Sequence, residues 1–121
     1  MKKTRGFTMV EIIITIAIIG ILLAIAVPSY LSFRDRANNS AAKANVRAAI
    51  PAVEAYNADN SKGYSGLDLT DMKSYDQGVK NVVILGTSNT VSYCLRSSVG
   101  TKSWYKQGPG GDITTTACAG P

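Results

Sequence analysis

The sequence has no histidine, which removes the commonest general base and the commonest nitrogen ligand for metals. The usual nucleophile–base pairs therefore have no base to use. Cysteine is scarce too, with only Cys94 and Cys118, both late in the chain. Charge is missing altogether from Ile12 to Phe33, a run of 22 residues. No small-residue cleavage site of the ordinary secretory kind follows Val27, so that run is expected to stay on the mature chain. Gly108-Pro109-Gly110-Gly111 is glycine-rich but lacks the lysine and the strand–helix context of a phosphate loop. Asp68, Asp71 and Asp76 lie close in sequence but do not have the spacing of a calcium loop, and they read as a solvated acidic loop. From these absences we expect no catalytic residues, no cofactor and no metal, and hence not an enzyme.

What is present is dominated by the uncharged run. At about 1.5 Å rise per residue its length reaches roughly 33 Å, enough to cross the hydrocarbon core of a bilayer. One carboxylate, Glu11, sits at its leading edge, four residues after Phe7. Before it lies Met1-Lys2-Lys3-Thr4-Arg5-Gly6, short, basic and ending in glycine. Thr8-Met9-Val10-Glu11 fits a capping box, in which Glu11 reaches back to the Thr8 amide. A charge in apolar surroundings costs a few kcal/mol unless paired, so Glu11 also reads as an assembly residue. The two readings are compatible, because a carboxylate has two oxygens. Ala17, Gly20 and Ala24 fall at three- and four-residue spacing, which either lets helices approach closely or reflects the commonness of small residues in membrane helices.

A basic leader ending in Gly6, then Phe7-Thr8-Met9-Val10-Glu11 and a long apolar helix, resembles a type IV prepilin. The likeness is close over about the first 30 residues and concerns only layout beyond them. It implies cleavage by a prepilin peptidase between Gly6 and Phe7, with N-methylation of Phe7. It implies residues 1–6 as leader peptide, 7–33 as transmembrane and filament-core helix, and 34–121 as a globular pilin domain. It also implies a segment from Gly20 to Pro28 that loses helical order in a filament. Glycine weakens a helix, and proline removes a backbone hydrogen bond, here to the Ala24 carbonyl.

The formal charge of +5 comes from 13 basic and 8 acidic residues. Without Lys2, Lys3 and Arg5 it is 10 − 8 = +2, so overall basicity does not argue for nucleic-acid binding. The leader cations instead hold the N-terminus on the cytoplasmic side, leaving the rest to face outward. In an exported domain Cys94 and Cys118 read as one disulfide, which matches the C-terminal disulfide of many pilins.

Arg34-Asp35-Arg36 marks the exit into water, and the helix is expected to continue to about Asn57. Ala42, Val46, Ala49, Ile50, Val53 and Tyr56 share a face, and Pro51 is expected to kink the helix without ending it. Residues 58–78 read as a connecting loop, with Thr70 capping a short helical turn. Val79–Leu85, Thr90–Ser98, Lys102–Lys106 and Ile113–Thr116 read as strands, with a tight turn at Gly100-Thr101. The expected fold is α+β: a long helix, its amphipathic half packed on an antiparallel sheet of three to four strands.

The function expected from the resemblance is that of a structural subunit of an extracellular type IV pilus, polymerising through its apolar helix. Such filaments serve motility, adhesion or DNA uptake. The expected partners are identical subunits, the peptidase and assembly machinery, and the inner membrane before assembly. Two alternatives stay open. A major pseudopilin of a type II secretion system shares the N-terminal segment, but commonly binds calcium and lacks the disulfide. A minor pilin serving as a DNA- or surface-binding module would use Lys102 and Lys106 beside Trp104 and Tyr105.

Overall fold

A computed structural model describes residues 5–119. Lys2, Lys3 and most of the expected leader lie outside the described residues. The chain divides into two compact units, one ending at Arg34 and the other running from Asp35.

The first unit is helical from Met9 onward, and this helix, α1 (Met9–Asp59), continues into the second unit. It runs through both Pro28 and Pro51. Pro28 cannot donate to the Ala24 carbonyl, but Ser29 Oγ donates to the Ile25 carbonyl at 3.2 Å one residue on. Such a hydroxyl contact helps satisfy backbone near a proline where no water is at hand.

The second unit holds the core. Ala42, Val46, Ala49 and Val53, with Ala52 beside them, form the buried stripe of α1. Their three- and four-residue spacing is that of one helix face. Ile50, expected on this face, is only partly buried, and Ala52 takes its place. The stripe meets a four-stranded antiparallel sheet in the order β1-β2-β3-β4: Val82–Ile84, Tyr93–Val99, Lys102–Gly108 and Ile113–Thr114. Tyr93 and Leu95 of β2 and Val82 of β1 complete the core with Ala49, Ala52 and Val53. Cys94, on the other face of β2, is bonded to Cys118 with Cα atoms 6.2 Å apart, tying the C-terminal tail across the sheet.

The short helix α2 (Leu69–Tyr75) lies inside the expected loop. Its cap is Asp68, not Thr70. Asp68 Oδ1 accepts from the Asp71 amide at 2.7 Å and Asp71 Oδ2 from the Asp68 amide at 3.3 Å. Only a residue with a partner three places on can close that box, and Asp68 has Asp71. Three strands are shorter than expected, the last of them ending at Thr114. Asn81 has φ 54°, which breaks the extended path before Val82. Asn89 Oδ1 accepts from the Val91 and Ser92 amides, so residues 89–92 form a turn and Val91 stands exposed.

Two glycines are dictated by packing. Gly100 opens the β2–β3 turn at φ 60°, and a Cβ there would lie 2.6 Å from Asn38 Nδ2 of α1. Gly108 pairs with Tyr93, and a Cβ on it would lie 2.0 Å from Tyr93 Cζ. The Tyr93 ring thus lies directly over the glycine, with the Tyr64 ring 4.8 Å away on a tilted plane. Gly108→Ala should lower stability by about 1–3 kcal/mol through overpacking. Thermal unfolding should show that penalty shrinking in a Tyr93→Leu background, where the collision is gone.

Burial, and then the nearby Glu54 charge, hold the Tyr93 hydroxyl well above its ordinary pKa. Burial and a hydrogen bond to Glu54 raise Tyr64 in the same sense. A raised pKa in the folded state favours folding below the unfolded value of about 10, and the advantage is lost as pH rises through and beyond it. Among the described residues Tyr93 Oη is buried with no partner at good hydrogen-bond geometry, so Tyr93→Phe should be close to neutral at pH 7. Unfolding monitored from pH 8 to 12 should show a shallower alkaline loss for that variant.

Candidate functional site

The N-terminal end of α1 is built by its own side chains. The Thr8 amide donates to Glu11 Oε2 at 2.8 Å, and the Glu11 amide donates to Thr8 Oγ1 at 3.2 Å. This is a closed capping box, and it satisfies two of the amides that a helix start leaves unpaired. Thr15 Oγ1 then donates to the Glu11 carbonyl at 2.7 Å. Glu11 Oε1 has no partner among the described residues. Phe7, Glu11, Ile12, Thr15 and Ile16 border an open recess of about 470 Å³. Gly6 and Phe7 precede the first helical residue and lie exposed, Phe7 at 87%. The peptide bond at which the sequence leads one to expect cleavage thus lies in an exposed, non-helical segment, where a peptidase has access.

From Ile12 to Phe33 the large apolar side chains are exposed on every side of the helix. By length and composition this stretch is able to cross a membrane, and none of it is buried within the chain. Water is a poor solvent for such a surface, so it is an interaction surface by its nature. Gly20 fits that view. A Cβ there would meet nothing within 4 Å, so packing inside the chain gives no reason for glycine. Gly20 and Pro28 therefore belong to the uncovered helix, with Glu11 in its first turn and Phe7 just ahead of it, whereas Cys94 and Cys118 stand apart as the staple of the sheet.

The structure does not bring Lys102, Trp104, Tyr105 and Lys106 into one platform. Successive strand residues alternate faces, so Trp104 and Tyr105 point opposite ways. Trp104 Nε1 donates to Asn39 Oδ1 of α1 at 2.7 Å, and Lys43 Nζ lies 4.9 Å from the ring centroid. Lys106 is buried and donates to the Pro109 and Gly111 carbonyls, holding the glycine-rich loop. These residues hold the helix and the loop to the sheet. Asn39 had a sequence-level signal only as part of Asn38-Asn39-Ser40, an acceptor pattern for glycosylation. Asn38 is half-buried against Gly100 instead.

A family profile described as "Prokaryotic N-terminal methylation motif" matches residues 1–27. The chain is 31% identical to the type IV wide pilus major component PilA4 of Thermus thermophilus, over 98% of this chain and 92% of that protein. It is 40% identical to the type IV major pilin protein PilA of Myxococcus xanthus over 50% of this chain, which spans only 27% of that longer protein. It is also 37% identical to the type II secretion system core protein G of Pseudomonas aeruginosa, over 49% of this chain and 42% of that one. No solved structure matches the chain.

Trp104 is the only tryptophan, so its fluorescence reports on the anchor alone. Asn39→Ala should shift Trp104 emission and lower unfolding stability by about 1 kcal/mol, the worth of one hydrogen bond. Unchanged emission and stability would show that Asn39 does not hold the ring.

Proposed function

The chain belongs to the type IV pilin family, and we propose that it is the main structural subunit of a type IV pilus. The observation that carries this reading is the bare apolar helix, capped at its start and joined to a domain with its own core. That surface is exposed among the described residues, as a monomer stored in a bilayer and then packed helix against helix requires. In this reading residues 1–6 are a leader removed between Gly6 and Phe7, and Phe7 becomes N-methylated. Residues 7–33 anchor the precursor in the inner membrane and later form the filament core, and residues 34–121 form the exposed domain. The protein acts by assembly and carries out no catalysis. Its partners are copies of itself, the prepilin peptidase and the assembly machinery.

The similarity to a type II secretion core protein keeps a pseudopilin as the second reading. The Cys94–Cys118 bond and a tail whose sole carboxylate side chain after Asp76 is Asp112 favour the pilin.

Glu11 takes two roles in sequence. In the monomer one carboxylate oxygen closes the capping box. In the filament the other accepts from the charged N-methylated amine of a neighbouring Phe7, which removes the penalty for a carboxylate among apolar helices. Wild-type filament subunits should begin at Phe7 and carry one added methyl group by intact mass. Glu11→Gln should be inserted and cut at normal levels but yield few filaments, and Glu11→Asp should be intermediate. Subunits retaining Lys2 and Lys3 would overturn the processing, and abundant ordered filaments from Glu11→Ala would overturn the pairing.

A further inference from the structure

The sheet carries a second feature, at its β1 edge and independent of filament assembly. Lys73 of α2, Lys80 just before β1 and Arg96 of β2 line one open groove of about 440 Å³, together with Asn81, Val83 and Ser98. Arg96 and Ser98 alternate with the buried Leu95 and Ser97, so they lie on the face turned away from α1. No carboxylate lines the groove. Among the described residues none of the three cations is held in an ion pair, whereas Lys43 lies over Trp104 and Lys106 is bound to backbone carbonyls. With the leader set aside, three of the ten remaining basic residues meet at this one place.

Gathering like charges without counter-charge is unfavourable, and a cleft lined by one sign of charge concentrates the opposite ion. The Arg96 Nε is buried and has no hydrogen-bond partner. That N–H is shut away from an oxyanion in the groove as it is from water, so the donors Arg96 offers a ligand are its terminal guanidinium N–H groups. β2 is an interior strand, with Arg96 paired to Val83 on one side and Tyr105 on the other, so the Arg96 backbone is held in place while the two lysines are exposed. A planar fork beside two point charges suits a tetrahedral group bearing several oxygens and more than one negative charge. The apolar Leu69, Val82 and Val83 give an organic substituent something to lie against. We infer that this groove binds a phosphoryl group, free or as a phosphate ester.

Full-length processed chain in a nonionic detergent, at fixed low ionic strength, is titrated calorimetrically with inorganic phosphate and then with glycerol 3-phosphate. Saturable binding at one site per chain is expected, weakening as sodium chloride is added. Arg96→Gln and Lys80→Gln should each weaken it about tenfold or more, the worth of a charge-assisted hydrogen bond. Arg96→Lys should fall between, since it keeps charge but loses the fork. Lys102→Gln, outside the groove, should bind as wild type does. Tighter binding of glycerol 3-phosphate identifies an ester as the ligand, and equal binding identifies free phosphate. Absence of saturation, or equal losses in Lys102→Gln and Lys80→Gln, would overturn the site. Lys80 is exposed and outside every strand, so its variant tests the groove even if Arg96→Gln fails to fold.

Discussion

Uncovered apolar surface is the constraint from which the rest follows. None of the described residues buries the side chains between Ile12 and Phe33. Each large apolar residue left in water forfeits about 1.5–3 kcal/mol that burial would supply, so the chain has no stable life as a free monomer in solution. Lipid tails and neighbouring helices are nearly equivalent solvents for such a surface. Moving from membrane to filament therefore changes the hydrophobic energy little. What separates the two states has to be polar or geometric, and features of that kind include Glu11 at the head of the stretch, Gly20 within it and the carbonyl freed at Pro28.

The domain solves a different problem, which is to keep a long helix attached to a small sheet. Three of the five buried residues on α1 are alanines, so the helix lies close to the strands but offers little side-chain area to hold it. Specific contacts supplement that thin core. Trp104 is hydrogen-bonded to Asn39, and the β2–β3 turn fits Asn38 only because Gly100 has no side chain. On the opposite face Cys94 and Cys118 fasten the tail. The sheet is thus held on one face by helix contacts and on the other by a covalent bond. The groove between Lys73, Lys80 and Arg96 occupies the part of that outer face near β1.

The long helix, the antiparallel sheet, the Gly100-Thr101 turn and the disulfide were legible in the sequence, because each rests on a local pattern or on a count. Uncharged length, period-two alternation, a glycine between strands and a lone cysteine pair all act without distant partners. What escaped was set by competition or by tertiary contact. Asp68 displaced Thr70 as the cap of α2 because its box partner stands at the right offset. Val91 looked like a strand residue until Asn89 took its amide. Trp104 beside two lysines looked like a binding platform because a sequence does not reveal that Asn39, 65 residues earlier, lies beside the ring. Lys73, Lys80 and Arg96 are far apart in sequence and show no pattern at all; only the pairing of β1 with β2 and the packing of α2 assemble them.

Under the proposed pairing, one side chain, Glu11, serves two environments without conflict. Near a membrane surface, helix amides at the N-terminus need acceptors, and a carboxylate there also meets the positive end of the helix dipole favourably. The capping box meets that need with Oε2, and among the described residues Oε1 has no partner. The recess beside it is bordered by Phe7, Ile12 and Ile16, so a group reaching Oε1 arrives from apolar surroundings. In such surroundings an incoming cation gains more from the carboxylate than it would in water, because the effective dielectric is lower. A capped carboxylate is also already fixed in direction, so a partner loses less side-chain entropy in reaching it. In the pairing we propose, the box and the intermolecular contact act together: the first orients the carboxylate for the second. A neutral glutamine in place of Glu11 retains an acceptor for the Thr8 amide but has no charge with which to select a cationic terminus, which is why the two roles separate cleanly at this position.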